Sequence, residues 1–228
     1  MIRNYTEEQL QQNYERFIAA LKKVFTGERL EKLLHMYSEN ELGIELTIAP
    51  ASAKLNFHSA YVGGYIDHVM NVATNAYKLK KMFETSGGYI NFTDEELLFA
   101  AFHHDLGKLG DGAEPYYIPQ TSEWHQKNKK EYFNINPKLQ YFDVTDRALW
   151  LLNQYGIKYT QKEQLGIMMA DGLYNDATKK YFMSYDENFQ LKTELPYLIH
   201  WADHMSCRLE NTEYRKSTGM MDNVSAMF

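Results

Sequence analysis

The chain has 228 residues, of which 44% are hydrophobic and 24% charged, with 18 Tyr, 12 Phe and 3 Trp, so it is neither a disordered nor a fibrous protein. The formal net charge of −6 argues against a surface built to hold extended duplex nucleic acid. The sequence contains no run of 18 apolar residues that would predict a membrane span. The single cysteine, Cys207, and an N-terminus without an apolar signal-peptide core predict one compact cytoplasmic protein.

Helical signals follow one another along the first half of the chain. A capping box at Thr6 and Gln9 predicts the first amphipathic helix, and ERLEKLLHMY (28–37) predicts a second. The segment ELGIELTIAPAS (41–52) indicates an extended connector. Helical spacing returns from residue 64 to about residue 83, and a capping box at Thr93 and Glu96 opens the helix that carries FAAFHHDLGKLGDG (99–112).

The second half contains a long loop and further helices. Residues 111–143 include three prolines and little periodicity, which predicts a long loop with one short helix near EWHQKNKKEYF (123–133). VTDRALWLLNQYG (144–156), TQKEQLGIMMADG (160–172) and residues 194–214 predict three more helices. The fold class is therefore all-α. We expect N-terminal helices in residues 1–50 packed on a core domain of residues 51–214, followed by a C-terminal tail at 215–228.

Polar side chains on three of these helices are predicted to point inward. His104 shares a helix face with Leu97 and Ala100, and Asp105 follows it directly. His68 and Asp203 lie between apolar neighbours on two other helices. A buried carboxylate beside a neutral imidazole needs compensation, and a divalent cation supplies it. His68, His104, Asp105 and Asp203 are therefore the candidate metal ligands.

This order of residues resembles the HD-domain metal-dependent phosphohydrolases, whose ligands follow the pattern H…HD…D. The match consists of His68, the HHDLGK segment (103–108) and Asp203 in IHWADHMSCRLE (199–210), and the resemblance covers roughly residues 55–212. The segment FHSAYVGGYIDHVMNVA (57–73) is similar to that of the YhaM-type HD proteins, which are 3′–5′ exoribonucleases. The resemblance implies an HD-type helical bundle that hydrolyses a phosphate ester with one Mn, Fe, Co, Ni or Mg ion.

Further candidates surround this set. Lys108 lies one turn beyond Asp105, so its ammonium could reach a phosphate. His58 precedes a Gly-Gly turn and His125 lies in the long loop, which makes both candidates for substrate contact or proton transfer. Asp171 is a candidate substrate contact. Asp105, Lys108 and His125 are thus the predicted catalytic residues, and His58, Lys108, His125 and Asp171 the predicted substrate-binding ones.

A second metal ion is not expected. Many binuclear HD proteins have additional histidines between the HD pair and the last aspartate, and this chain has Phe142 and Ala170 at the most similar places. Neither side chain can ligate a metal ion. The sequence therefore predicts a mononuclear site.

Three functions remain open at this point. The compact, acidic chain favours a nucleotidase or nucleoside triphosphate hydrolase. The AYVGG segment (60–64) favours a nuclease or phosphodiesterase acting on short RNA or DNA, and lysines interleaved with aromatic residues are compatible with a single-stranded substrate. A non-catalytic HD regulatory module is the third. The expected partner is a nucleotide or short oligonucleotide, with no membrane, and homo-oligomerisation is left open.

Overall fold

The computed structural model describes residues 3–219 and is predominantly α-helical, as the sequence predicts. The described residues form ten α-helices and two short strands. In chain order they are α1 (Glu7–Val24), α2 (Gly27–Met36), α3 (Gly43–Ile48), α4 (Gly64–Thr85), α5 (Asp94–His103), β1 (Tyr117–Pro119), α6 (Glu123–Lys129), β2 (Phe133–Ile135), α7 (Val144–Gln154), α8 (Gln161–Met168), α9 (Asp176–Phe182) and α10 (Leu195–Ser217).

Helix α4 is the centre of the fold because it packs against both α5 and α10. Its apolar residues are buried together with those of α5, and helix α8 covers the other side of α5 and α10. A buried hydrogen bond from Asn75 Nδ2 to Ser206 Oγ (2.9 Å) joins α4 to α10. The three helices that carry the predicted metal ligands are therefore held against one another by the core itself.

The N-terminal helices pack on this core through apolar and polar contacts. Phe17 of α1 is fully buried, and its ring meets Phe102 of α5 edge to face at a centroid distance of 5.7 Å. Asp67 of α4 anchors the N-terminal segment because its carboxylate accepts five hydrogen bonds. The donors are Arg3, Tyr5, Asn13, Arg16 and Tyr61.

Two of the sequence predictions about local structure were wrong or incomplete. Residues 43–48, expected within an extended connector, form helix α3, where Leu46 is fully buried and the Thr47 hydroxyl donates to the Gly43 carbonyl (2.7 Å). Burial against α1 and α4 outweighs the strand preference of the β-branched residues there. Helix α9 was also not predicted.

The long segment after the HD pair is more ordered than a loop. The expected short helix is present as α6. The strands before and after it in the chain, β1 and β2, pair antiparallel with each other, with Ile118 opposite Asn134. An isolated bridge between Lys54 and Glu131 ties this ribbon to the segment before α4. The ribbon is therefore joined to residues 53–55, in the segment that leads into α4.

The C-terminal end of α10 reaches Ser217, so residues 215–217 of the expected tail are helical, while residues 220–228 lie outside the described residues. Within residues 3–219, no helix has the length and apolar character needed to cross a membrane.

Candidate metal centre

The four predicted ligands come together where α4, α5 and α10 meet. His68 lies in the second turn of α4, His104 caps the C-terminus of α5, Asp105 precedes a short 3-10 helix, and Asp203 lies on α10. Both histidines are buried, with exposures of 0% and 1%, and Asp105 is buried as well. The side chain of Asp203 is partly exposed, so the cluster has one side open towards solvent.

The position of His68 depends on the Gly-Gly turn that starts α4. Gly63 has a φ of 84°, in the left-handed region, and caps the helix. Gly64 packs so closely against the Ser59 carbonyl that a side chain at this position would collide with it. The amide of Tyr65 then donates to the Ala49 carbonyl (3.0 Å), which ties the first turn of α4 to α3. This turn fixes where the helix begins and therefore where His68 points.

The donor atoms of the four residues face one another at short range. His68 Nε2 lies 3.1 Å from Asp203 Oδ1 and 3.5 Å from Asp105 Oδ2. His104 Nε2 lies 3.6 Å from Asp105 Oδ2 and 3.8 Å from Asp203 Oδ1. Ligand atoms that are each about 2.0–2.2 Å from one ion stand roughly 3 to 3.5 Å apart. The donor atoms of His68, His104 and Asp203 all lie close enough to one another to share a metal ion. Asp105 Oδ2 lies within reach of both imidazoles and also accepts a hydrogen bond from Lys108.

The hydrogen bonds of the two imidazoles show which ring nitrogen is available. His104 Nδ1 lies 2.8 Å from the Ala101 carbonyl, which can only accept, so Nδ1 carries the proton. His68 Nδ1 lies 3.2 Å from Glu210 Oε1 and donates in the same way. In a neutral ring the other nitrogen, Nε2, then carries a lone pair. Both Nε2 atoms are buried without a hydrogen-bond partner. When both rings are neutral, two buried lone pairs face two carboxylates, and a metal ion between them would stabilise this arrangement.

Glu210 is a part of the site that the sequence analysis missed. Its carboxylate accepts from His68, from Asn71 Nδ2 (3.0 Å) and from the Ser59 hydroxyl (2.6 Å), so it orients the imidazole from behind. Burial opposes ionisation of Glu210, but His68 lowers its pKa to about 2. The seven-residue spacing from Asp203, two turns along α10, was the signal available in the sequence.

The charges in the cluster are mutually dependent. Lys108 Nζ donates to Asp105 Oδ2 (2.6 Å), and although burial acts against it, this ammonium lowers the pKa of Asp105. Burial likewise acts against ionisation of Asp203, but the two histidines lower its pKa. Burial lowers the pKa of His68, while Glu210 and Asp203 outweigh that effect and raise it to about 10. Buried anions therefore dominate the site.

His58 lies beside the cluster. Its ring centroid is 4.5 Å from that of His68, and its Nε2 is buried without a hydrogen-bond partner. Burial, aided by the neighbouring His68, lowers the pKa of His58 to about 3, so the ring is neutral. Cys207 lies near both rings, but burial and Asp203 raise the pKa of its thiol, and a protonated thiol is a poor ligand. His58 is thus within reach of the centre, and its role as a substrate contact stays a prediction.

The other predicted residues are at different distances from the centre. Asp171 has an exposed side chain just before Gly172. Desolvation by the surrounding protein and the charge of Asp105 raise its pKa, so it lies within electrostatic reach of the cluster. His125 lies on α6, where its Nδ1 meets Ser122 Oγ (3.0 Å), and among residues 3–219 no contact joins it to the four ligands. Its catalytic and substrate-binding roles remain predictions.

The two positions considered for a second metal ion have other structural roles. Phe142 packs edge to face on Trp150 of α7. Ala170 is buried, and its carbonyl accepts from His200 Nδ1 (2.9 Å), which makes His200 a structural histidine joining α10 to the turn before Gly172. Neither position provides a donor atom from its side chain.

Comparisons of this chain with protein-family models, with curated proteins and with solved structures gave no match.

Proposed function

We propose that the chain is a metal-dependent phosphohydrolase of the HD type that acts on a nucleotide. The observation that supports this proposal is the pair of buried, unpartnered Nε2 atoms of His68 and His104, which face Asp105 and Asp203. Two imidazoles, two carboxylates and no thiolate favour Mn²⁺, Fe²⁺, Co²⁺, Ni²⁺ or Mg²⁺. When bound, such an ion supplies Lewis-acid polarisation of a phosphoryl group and activation of a water molecule.

The residues of the chain would divide the remaining tasks. The same carboxylate oxygen of Asp105 faces both histidines and accepts from Lys108. It would therefore hold the Lys108 ammonium next to a metal ion bound by the histidines. Lys108 is partly exposed beside Asp105, and its ammonium can form a charge-assisted hydrogen bond with a phosphate oxygen. Glu210 keeps the proton of His68 on Nδ1 and leaves Nε2 free to ligate.

A nuclease is the second candidate, because the chain has a basic groove whose lining includes Asn56, two residues before His58. A cavity of about 440 Å³ is lined by Lys129, Lys130 and Arg215 together with Asn56 and Tyr214. Positive side chains next to an aromatic ring suit a single-stranded backbone. On this alternative, the groove would position a short oligonucleotide whose terminal phosphodiester enters the same centre.

The test is a substrate panel with the metal-loaded protein. Nucleoside mono- and triphosphates, cyclic dinucleotides and a labelled oligonucleotide are each incubated with the protein and Mn²⁺, and released phosphate or shortened product is measured. We expect turnover of at least one nucleotide and its loss in Asp105→Asn, together with loss of bound metal. The matched control is Asp146→Asn, which changes an exposed aspartate on α7. Retention of metal and turnover by Asp105→Asn would refute the proposal.

A further inference from the structure

A mainly apolar cavity of about 330 Å³ opens beside Lys108, and we call it the Tyr117 cavity. Its walls come from α3 and the segments around it, from the Gly-Gly turn, and from the two-stranded ribbon. The lining includes Ile48 and Val62, the rings of Tyr116, Tyr117 and Phe133, and the side chain of Lys108. Apolar walls with few polar groups, at the lower end of the usual volume range, are typical of small-molecule sites.

Lys108 connects this cavity to the metal ligands. Its side chain lines the cavity, while its ammonium donates to Asp105, whose carboxylate faces both ligand histidines. A molecule in the cavity would therefore meet the Lys108 ammonium, which is paired with Asp105, at the end nearest the centre. Among the described residues, Glu45 is the one carboxylate in the lining. The ligand that fits such a pair of environments has a flat apolar part and an anionic part.

The aromatic residues of the ribbon supply flat surface for the apolar part. Tyr117 packs against Tyr116 edge to face (4.8 Å between centroids) and against Phe133 at 6.4 Å, and all three rings are only partly buried. Ile48 and Val62 are exposed at 46% and 44% at the opposite wall. Partly exposed rings facing exposed aliphatic side chains form a slot rather than a filled core.

The other cavity that touches the centre is less suitable for a nucleotide. It has a volume of about 380 Å³, and its lining includes the carboxylates of Asp67, Glu210 and Glu213. Its two arginines, Arg3 and Arg16, are already paired with Asp67. Three carboxylates against two guanidinium groups leave this cavity without the excess positive charge that would attract an anionic substrate.

We propose that the Tyr117 cavity holds the base of the nucleotide substrate, with the phosphate directed past Lys108 to the metal ligands. This inference rests on the proposed function and specifies how its substrate is recognised. Stacking of a base on an aromatic side chain is tolerant of base identity, because every base has a π-face. The base should therefore contribute affinity that a sugar phosphate lacks.

Binding measurements on the full chain with Mn²⁺ test this inference. The probes are the 5′-methylenephosphonate analogues of the four common nucleosides and of ribose, because their P–C bond resists hydrolysis. We expect the nucleoside analogues to bind more tightly than the ribose analogue. Tyr117→Ala should weaken nucleoside binding by roughly 5- to 150-fold and leave ribose binding unchanged, whereas Tyr117→Phe should keep most of the affinity. The control is Tyr89→Ala, at an exposed tyrosine outside the cavity.

A second variant protects the test against misfolding of the ribbon. Ile48→Asn changes an exposed residue on the opposite wall, in α3, and should also weaken only the nucleoside analogues. Equal binding of nucleoside and ribose analogues, or an equal loss of both in Tyr117→Ala, would overturn the inference. It would also be overturned if Tyr117→Ala changed only the oligomeric state, because the cavity would then be a protein contact.

The result can be separated from a failure of the proposed function. If nucleoside analogues bind through Tyr117 but no substrate in the panel is hydrolysed, the cavity assignment stands and the hydrolase proposal fails. If nucleotides are hydrolysed and none of the cavity variants affects base recognition, the hydrolase proposal stands and the cavity assignment fails.

Discussion

Glu210→Gln should weaken metal binding although Glu210 is not itself a ligand. The carboxylate holds His68 through a contact of 3.2 Å to Nδ1, and it is itself fixed by Ser59 (2.6 Å) and Asn71 (3.0 Å). The amide keeps the shape of the side chain and one accepting oxygen, but it loses the negative charge. The imidazole then becomes a less basic ligand and is less firmly oriented.

The size of the effect follows from this partial loss. Removal of a partner that orients a ligating histidine typically costs 10- to 100-fold in metal affinity, which is about 1.4 to 2.8 kcal/mol. Competition with a chromophoric chelator gives the dissociation constant for Mn²⁺ or Co²⁺ in both proteins. The control is Glu213→Gln, which changes an exposed carboxylate one turn further along α10. Glu213 lines the same cavity of about 380 Å³ as Glu210. Equal constants for Glu210→Gln and the parent would show that Glu210 does not tune the site.

Three other outcomes are expected. Lys108→Ala should weaken substrate binding and turnover by about 1.5–3 kcal/mol, because a charge-assisted contact is lost, while the metal content measured by elemental analysis stays the same. Unchanged kinetics would mean that the ammonium does not reach the substrate. Asp67→Ala should lower the free energy of unfolding by about 1–3 kcal/mol in urea titrations, because the buried Asn13 amide loses its acceptor, and an unchanged midpoint would contradict this. Protein purified without chelator should contain about one metal ion per chain, whereas two ions about 3.5–4 Å apart would contradict the mononuclear prediction.

The features that the sequence predicted correctly are those that depend on neighbours in the chain. The capping boxes at Thr6 and Thr93 are present, because each consists of hydrogen bonds over three residues. The inward direction of His104 follows from helical periodicity and is confirmed by its burial. The helix that carries His68 begins at Gly64, as expected from the turn residues before it.

The features that could not be predicted depend on distant residues. Helix α3 forms because Leu46 is buried between elements that the local sequence does not specify. Glu210 acts on a histidine 142 positions away, so its role appears only when α4 and α10 are packed together. The Tyr117 cavity likewise combines five separate stretches of the chain, and no local pattern of residues marks it.

The charges that these distant contacts bring together leave the centre with an excess of negative charge. The pKa values of Asp105, Asp203 and Glu210 are all lowered, so three carboxylates are ionised at neutral pH, against one ammonium from Lys108. With neutral imidazoles the cluster has two excess negative charges in a buried setting, which is unfavourable unless a cation compensates them. The high pKa of His68 indicates that a proton provides part of this compensation when no ion is bound. A divalent cation would neutralise both charges and would use the Nε2 lone pair that the proton occupies. Proton and metal therefore compete for the same nitrogen, and the surrounding carboxylates favour whichever cation is present.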